Sequence, residues 1–198
     1  MKRSFLTLII CAAVSLTSCK NENTTAEDRV EENVDATQEE SAMENEEAQE
    51  VVVTLESKNN SSVTGTVTFT EENGEVTMVG EFQGLPEGQH AVHLHETGDC
   101  SAADASSAGG HWNPTGENHG EWGSESGFHR GDIGNFDVNS EGEGSITFTT
   151  DLWCIGCEDP EKNIVDKAVV VHAGADDFSS QPSGAAGNRL ACGVIQAQ

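Results

Sequence analysis

Eight short stretches of β-type patterning, with no convincing helical one among them, restrict this chain to an all-β fold. Val51-Val52-Val53-Thr54-Leu55 opens the series. Residues 62–70 alternate around Val63, Val67 and Phe69, and residues 75–83 carry Val76, Met78 and Val79. Asn73-Gly74 lies between these two, and both positions tolerate positive φ, as a tight hairpin requires. Residues 88–95 hold the next strand. Residues 132–138 and 144–150 make a second hairpin around 139–142. Residues 167–172 contain the apolar run Ala168-Val169-Val170-Val171, and residues 190–197 close the series. Many short strands parted by glycine-rich turns predict a sandwich or barrel. Two long connections, 96–131 and 173–189, break the pattern, and loops of that length in a compact domain are usually functional.

The N-terminal part is of another kind. Met1-Lys2-Arg3 precedes an apolar run over 5–16 that is too short to span a bilayer comfortably, so residues 1–18 read as a secretory signal. Leu16-Thr17-Ser18-Cys19 resembles the lipobox of bacterial lipoproteins. That implies acylation of Cys19 and a lipid anchor to a membrane of the bacterial cell envelope, facing the periplasm or the surface. The plainer alternative is an ordinary signal peptide with an incidental cysteine. Residues 19–50 are rich in glutamate and lack aromatic residues. They cannot bury enough apolar surface to offset their ordering entropy, and they read as a self-repelling tether. A solvated acidic helix over 37–50 is the alternative. Residues 51–198 then form one domain of ordinary size. A formal net charge of −26 makes nucleic acid and anionic lipid surfaces poor partners.

All seven histidines lie between His90 and His172. His93-Leu94-His95 places two imidazoles on one face of a strand, because side chains alternate with a period of two. His172 ends a later strand and supplies a further nitrogen. Imidazoles without thiolate or carboxylate suit copper, among other metals. His111, His119, His129 and Asp132 share one loop, and three nitrogens with one carboxylate oxygen suit tetrahedral zinc. All four positions there are filled by protein, which points to a structural role. Four cysteines remain beyond the signal and Cys19: Cys100, Cys154, Cys157 and Cys192. An even number in an exported chain suggests disulfides, and three pairings are open.

Five blocks carry a family resemblance. They are Gly88-Gln89-His90-Ala91-Val92-His93-Leu94-His95-Glu96, Ser107-Ala108-Gly109-Gly110-His111-Trp112-Asn113-Pro114, His129-Arg130-Gly131-Asp132-Ile133-Gly134-Asn135, Val169-Val170-Val171-His172-Ala173-Gly174-Ala175-Asp176-Asp177 and Gly187-Asn188-Arg189-Leu190-Ala191-Cys192-Gly193-Val194-Ile195. In this order the sequence resembles bacterial copper/zinc superoxide dismutases. The resemblance implies an eight-stranded Greek-key β-barrel, a flattened sandwich with two long functional loops. It implies copper on His93, His95, His111 and His172, and zinc on His111, His119, His129 and Asp132, with His111 shared as a bridge. It gives Asp176 the part of a carboxylate linking a zinc ligand to a copper ligand, and His90 a structural part. It pairs Cys100 with Cys192. Cys154 and Cys157 have no counterpart in the family pattern. They read as a local disulfide, or else as a redox or metal-delivery CxxC.

The same resemblance implies disproportionation of superoxide to oxygen and hydrogen peroxide, with Arg189 guiding the anion and His111 supplying a proton. The second loop, 173–189, has no lysine, so little besides Arg189 could steer an anion. The alternative reading of Arg189 is an ion pair with Asp176 or Asp177. Two other functions compete with the enzyme: a copper-storage domain without turnover, and a zinc-only structural domain. A homodimer is left open, since dimer contacts vary among bacterial members.

Overall fold

The computed structural model describes residues 48–197. The signal segment, Cys19 and residues 20–47 of the expected tether lie outside the described residues. Eight strands build the domain: β1 (Gln49–Ser57), β2 (Thr64–Glu72), β3 (Glu75–Gln83), β4 (Gly88–His95), β5 (Gly134–Val138), β6 (Gly144–Thr150), β7 (Ala168–His172) and β8 (Arg189–Val194). They close into a barrel in the order β1-β2-β3-β6-β5-β4-β7-β8. Neighbouring strands are antiparallel throughout, and the step from β3 to β6 makes the connection a Greek key. The only helical piece among the described residues is a single 3-10 turn, Ser106–Ala108.

Strands β1 to β3 are simple alternators. Val51, Val53, Leu55, Val67, Phe69, Val76, Met78 and Phe82 enter the core, and their neighbours face water. Asn73 (φ 54°) and Gly74 (φ 78°) turn β2 into β3, as their pairing in sequence predicts. Strands β4 and β7 differ, because their outer faces are covered too. Every residue of β7 is buried. Val169 and Val171 point into the barrel, whereas Ala168 and Val170 pack outward against Ala105 and Ala108 of the first long loop. A strand covered on both faces reads as a continuous apolar run, which is what residues 168–171 are.

The barrel is weakest between β5 and β6, which pair only at Val138 and Gly144. Trp122 meets Phe148 edge-on with ring centroids 4.7 Å apart, and Phe148 meets Trp153 at 5.1 Å. The Trp153 indole N–H donates to the Arg130 carbonyl at 2.9 Å, so its polar edge is satisfied although the ring is buried.

Several boundaries move from their expected places. Strand β2 spans Thr64–Glu72 rather than 62–70. Strand β1 starts at Gln49, opposite Glu71, two residues before position 51. Strand β5 starts at Gly134 rather than Asp132. The chain there is still turning: Asp132 N–H donates to the His129 carbonyl and Ile133 N–H to the Gly131 carbonyl. Strand β8 ends at Val194.

Two disulfides form. Cys100 joins Cys192 across 92 residues and ties the first loop to β8, and Cys154 joins Cys157 within the loop before β7.

Candidate metal centre

His93 and His95 leave β4 on its outer face while Val92 and Leu94 enter the core. The backbone of Leu94 then fastens the first long loop to the strand. Leu94 N–H donates to the Gly131 carbonyl (3.0 Å), Trp112 N–H donates to the Leu94 carbonyl (2.8 Å), and Gly131 N–H donates to the Trp112 carbonyl (2.9 Å). This junction lays His111 against the histidines of β4 and His129 against His111. A Cβ at position 131 would collide with the Leu94 carbonyl, so the approach requires glycine. His172 ends β7, the strand beside β4, and Arg189 opens β8 directly across from it.

Two groups of side chains result. His93, His95, His111 and His172 each bring one nitrogen within 4.8 Å of the others, and His111, His119, His129 and Asp132 each bring one ligand atom equally close. Every one of these residues is buried.

Hydrogen bonds settle which ring nitrogen is bare. His93 Nε2–H donates to Asp176 Oδ2 at 2.8 Å, and His119 Nε2–H donates to Asp176 Oδ1 at 2.9 Å. Their Nδ1 atoms are buried: that of His93 has no hydrogen-bond partner, and that of His119 faces only the Asp132 carboxylate, 3.0 Å away. His95 Nδ1–H donates to the Gly109 carbonyl (3.0 Å) and His172 Nδ1–H to the Gly187 carbonyl (3.4 Å). Their Nε2 atoms therefore carry lone pairs, and these face each other at 3.3 Å. Two lone pairs at that distance repel unless a cation lies near both. His111 Nε2 is buried and unpartnered, while its Nδ1 sits 2.8 Å from Asp132 Oδ1. One ring thus presents a nitrogen to each group.

Asp132 gathers the second group. Its carboxylate oxygens lie 2.8 Å from His111 Nδ1, 3.0 Å from His119 Nδ1 and 3.2 Å from His129 Nδ1. The N–H of His129 (2.8 Å) and of Gly120 (3.2 Å) also donate to it. Four nitrogens fit copper, and three nitrogens with one carboxylate oxygen fit tetrahedral zinc, so the residues present suit both ions.

Asp176 is the link between the two groups. Asn135 on β5 holds its backbone from both sides, donating to the Asp176 carbonyl (2.9 Å) and accepting its N–H (2.7 Å). Gly184 has φ +63°, and a Cβ there would run into Asp176 Oδ1 and lie 2.7 Å from His119 Nε2. Asn135 stands inside a block that carried the resemblance, but no role was readable for it. Nothing in the sequence marks Gly184 or Gln181, because their work depends on where a loop closes.

Electrostatics follow from burial. Burial pushes His95 and His172 well below their ordinary value and His111 down to about 4, so all three rings are neutral in neutral water. Burial would lower His119 too, but hydrogen bonds to Asp132 and Asp176 outweigh it and carry the ring up to about 9. Burial would raise Asp132 and Asp176, yet the imidazoles bonded to them hold both below the usual carboxylate range.

A pH prediction arises for metal-free protein. His95, His111 and His172 resist protonation when folded, whereas the unfolded chain takes up protons near 6.5. Stability therefore falls as pH drops from about 6.5 towards 4. His119 acts in the other direction: its contribution is complete below 6.5 and is lost as pH rises through about 9. Thermal denaturation of metal-free protein is expected to give a lower Tm at pH 5 than at pH 7. Equal values would contradict the burial of neutral rings.

A cavity of about 300 Å³ opens onto the first group, lined in part by His95, His111, His172, Pro182, Ser183 and Arg189. Arg189 is not paired with Asp176 or Asp177. Its two Nη atoms donate to the Ala105 and Gly109 carbonyls, each at 2.7 Å. Gly109 thus accepts from both Arg189 and His95, and the guanidinium is fixed beside the cavity. His90 stays outside both groups, with its ring nitrogens 2.9 Å from the His172 and Pro86 carbonyls.

The sequence matches the copper/zinc superoxide dismutase family over residues 63–195. Among solved structures it is similar to the clock protein EA4, with 32% identity and a TM-score of 0.66, over 76% of this chain and 95% of that one. The family match spans most of the barrel and both histidine groups, and the chain belongs to the copper/zinc superoxide dismutase family.

Proposed function

We propose that this protein disproportionates superoxide, turning two superoxide anions and two protons into oxygen and hydrogen peroxide. We propose further that it does so in the bacterial cell envelope, outside the cytoplasm, held by a lipid on Cys19. The observation that carries the activity is the buried His111 ring, which offers one bare nitrogen to an all-imidazole group that opens onto a cavity. Copper on His93, His95, His111 and His172 would supply one-electron redox chemistry, and zinc on His111, His119, His129 and Asp132 would supply charge without any.

The chain's own residues do the rest. Arg189 places a fixed positive charge at the cavity for a small anion, in a domain whose overall charge repels it. Asp176 orients His93 and His119 together, so the two groups keep one relative geometry. His111 Nε2 faces the cavity group and has no other partner, so it is the atom at which a proton is held for peroxide formation. Burial of the rings keeps water from competing for their lone pairs.

The test is to load purified protein with copper and zinc and to measure superoxide removal with and without cyanide. Cyanide-sensitive removal is expected. Full metal content without removal would contradict the enzyme and favour metal storage. Arg189→Gln is expected to lower kcat/KM about 10-fold and to flatten its fall with ionic strength, since local steering by charge accelerates encounter. An unchanged salt profile would remove Arg189 from the anion's path.

A further inference from the structure

The second long loop grips His119 at two points. Asp176 accepts the ring Nε2–H at 2.9 Å. Further along the same loop, the Gln181 side-chain amide closes a ring with the backbone of that histidine. His119 N–H donates to Gln181 Oε1 at 2.9 Å, and Gln181 Nε2 donates to the His119 carbonyl at 2.9 Å. Gln181 is exposed, so the core does not hold it in place.

The stretch between the two grips is tied to itself. Asp177 accepts from the N–H groups of Ser179 and Ser180 and from the Ser180 hydroxyl. Asp177 N–H donates to the Gly184 carbonyl, and Gly184 N–H donates to the Ser180 carbonyl. Pro182 and Ser183, next in the chain, line the cavity.

We propose that Gln181 is a positioning residue of the zinc group. By satisfying both backbone groups of His119, it sets that imidazole between the Asp132 and Asp176 carboxylates and couples the cavity wall to the zinc ligands. The inference rests on the metal reading of the site but not on turnover. Two substitutions separate the amide's bonding from its bulk. Gln181→Met keeps the length and loses both hydrogen bonds. Gln181→Glu keeps the acceptor but sets a carboxylate oxygen against the His119 carbonyl.

The experiment uses the mature chain loaded with zinc. It follows zinc transfer to a chelator at neutral pH, the absorption of cobalt(II) placed at the zinc group, and hydrogen exchange of the His119 amide. Both variants are expected to release zinc about 10-fold faster, as loss of outer hydrogen bonds to metal ligands commonly does. Both are also expected to shift the cobalt bands and speed exchange at His119, with copper uptake unchanged. Release within twofold of the parent and unaltered cobalt bands in either variant would overturn the two-bond clamp. A parent that binds zinc but removes no superoxide would overturn the dismutase reading and leave the zinc readouts standing. A parent that takes up no zinc would overturn the metal assignment on which this inference rests.

Discussion

Exchange of His172 for alanine is expected to empty the copper group while zinc stays bound. The Nε2 atoms of His172 and His95 face each other at 3.3 Å, so removing one ring leaves three imidazoles and a gap on the cavity side. His172 makes no contact with Asp132 or Asp176, the two carboxylates that organise the zinc group. Loss of outer partners alone costs about 10- to 100-fold in metal affinity, and loss of a ligand exceeds that. Copper affinity and superoxide removal are therefore expected to fall by more than about 100-fold, with zinc near one per chain. Metal analysis after dialysis, paired with the activity assay, checks both. Full activity in this variant would break the copper assignment.

Removing the Cys100–Cys192 disulfide is expected to have the largest effect on stability. The crosslink closes a sequence separation of 92 residues, against 3 for Cys154–Cys157. Loop-closure entropy in the unfolded chain assigns about 4–5 kcal/mol to the first and about 2 kcal/mol to the second. For a domain of this size the first loss corresponds to a fall in Tm of roughly 10–20 °C. The site should suffer with it. Cys100 anchors the loop whose Ala105 and Gly109 carbonyls hold Arg189, and Gly109 also orients His95. The double variant Cys100→Ser with Cys192→Ser is thus expected to lose stability and copper retention together. Cys154→Ser with Cys157→Ser should lose a smaller share of stability and keep the metals. Thermal scans of the two double variants decide the order, and a reversed order would show that the loop before β7 is the stronger tie.

The parts of the site that were legible in the sequence are those set by local periodicity. His93 and His95 share a face because a strand alternates, and that was readable before any fold was known. His111, His119, His129 and Asp132 were readable as a donor set, but not as a shape. Their convergence depends on the Leu94 backbone meeting Trp112 and Gly131, and pattern does not report contacts between backbone groups far apart in sequence. The apolar run before His172 was visible, yet its meaning was not. It is a strand covered on both faces, and the outer cover is a loop that β-patterning leaves blank. The hairpin around 139–142 was legible as a turn, but β5 and β6 part almost at once, because each finds a longer partner in β4 or β3. Asn135, Gln181 and Gly184 escaped for a common reason. Asn135 and Gln181 act on the backbone of a residue in another segment, and Gly184 makes room for the Asp176 carboxylate earlier in its own loop and for the His119 ring, so chemical type alone gives no hint.

The central claim is that the His111 ring joins two different ions. Anomalous diffraction at the copper and zinc edges, on crystals of fully loaded protein, tests it most directly. Two separate peaks are expected on opposite sides of that ring, zinc about 2.0–2.1 Å from Nδ1 and copper beside Nε2. A single peak in loaded crystals, or two peaks with the ring bonded to neither or only one, would contradict it.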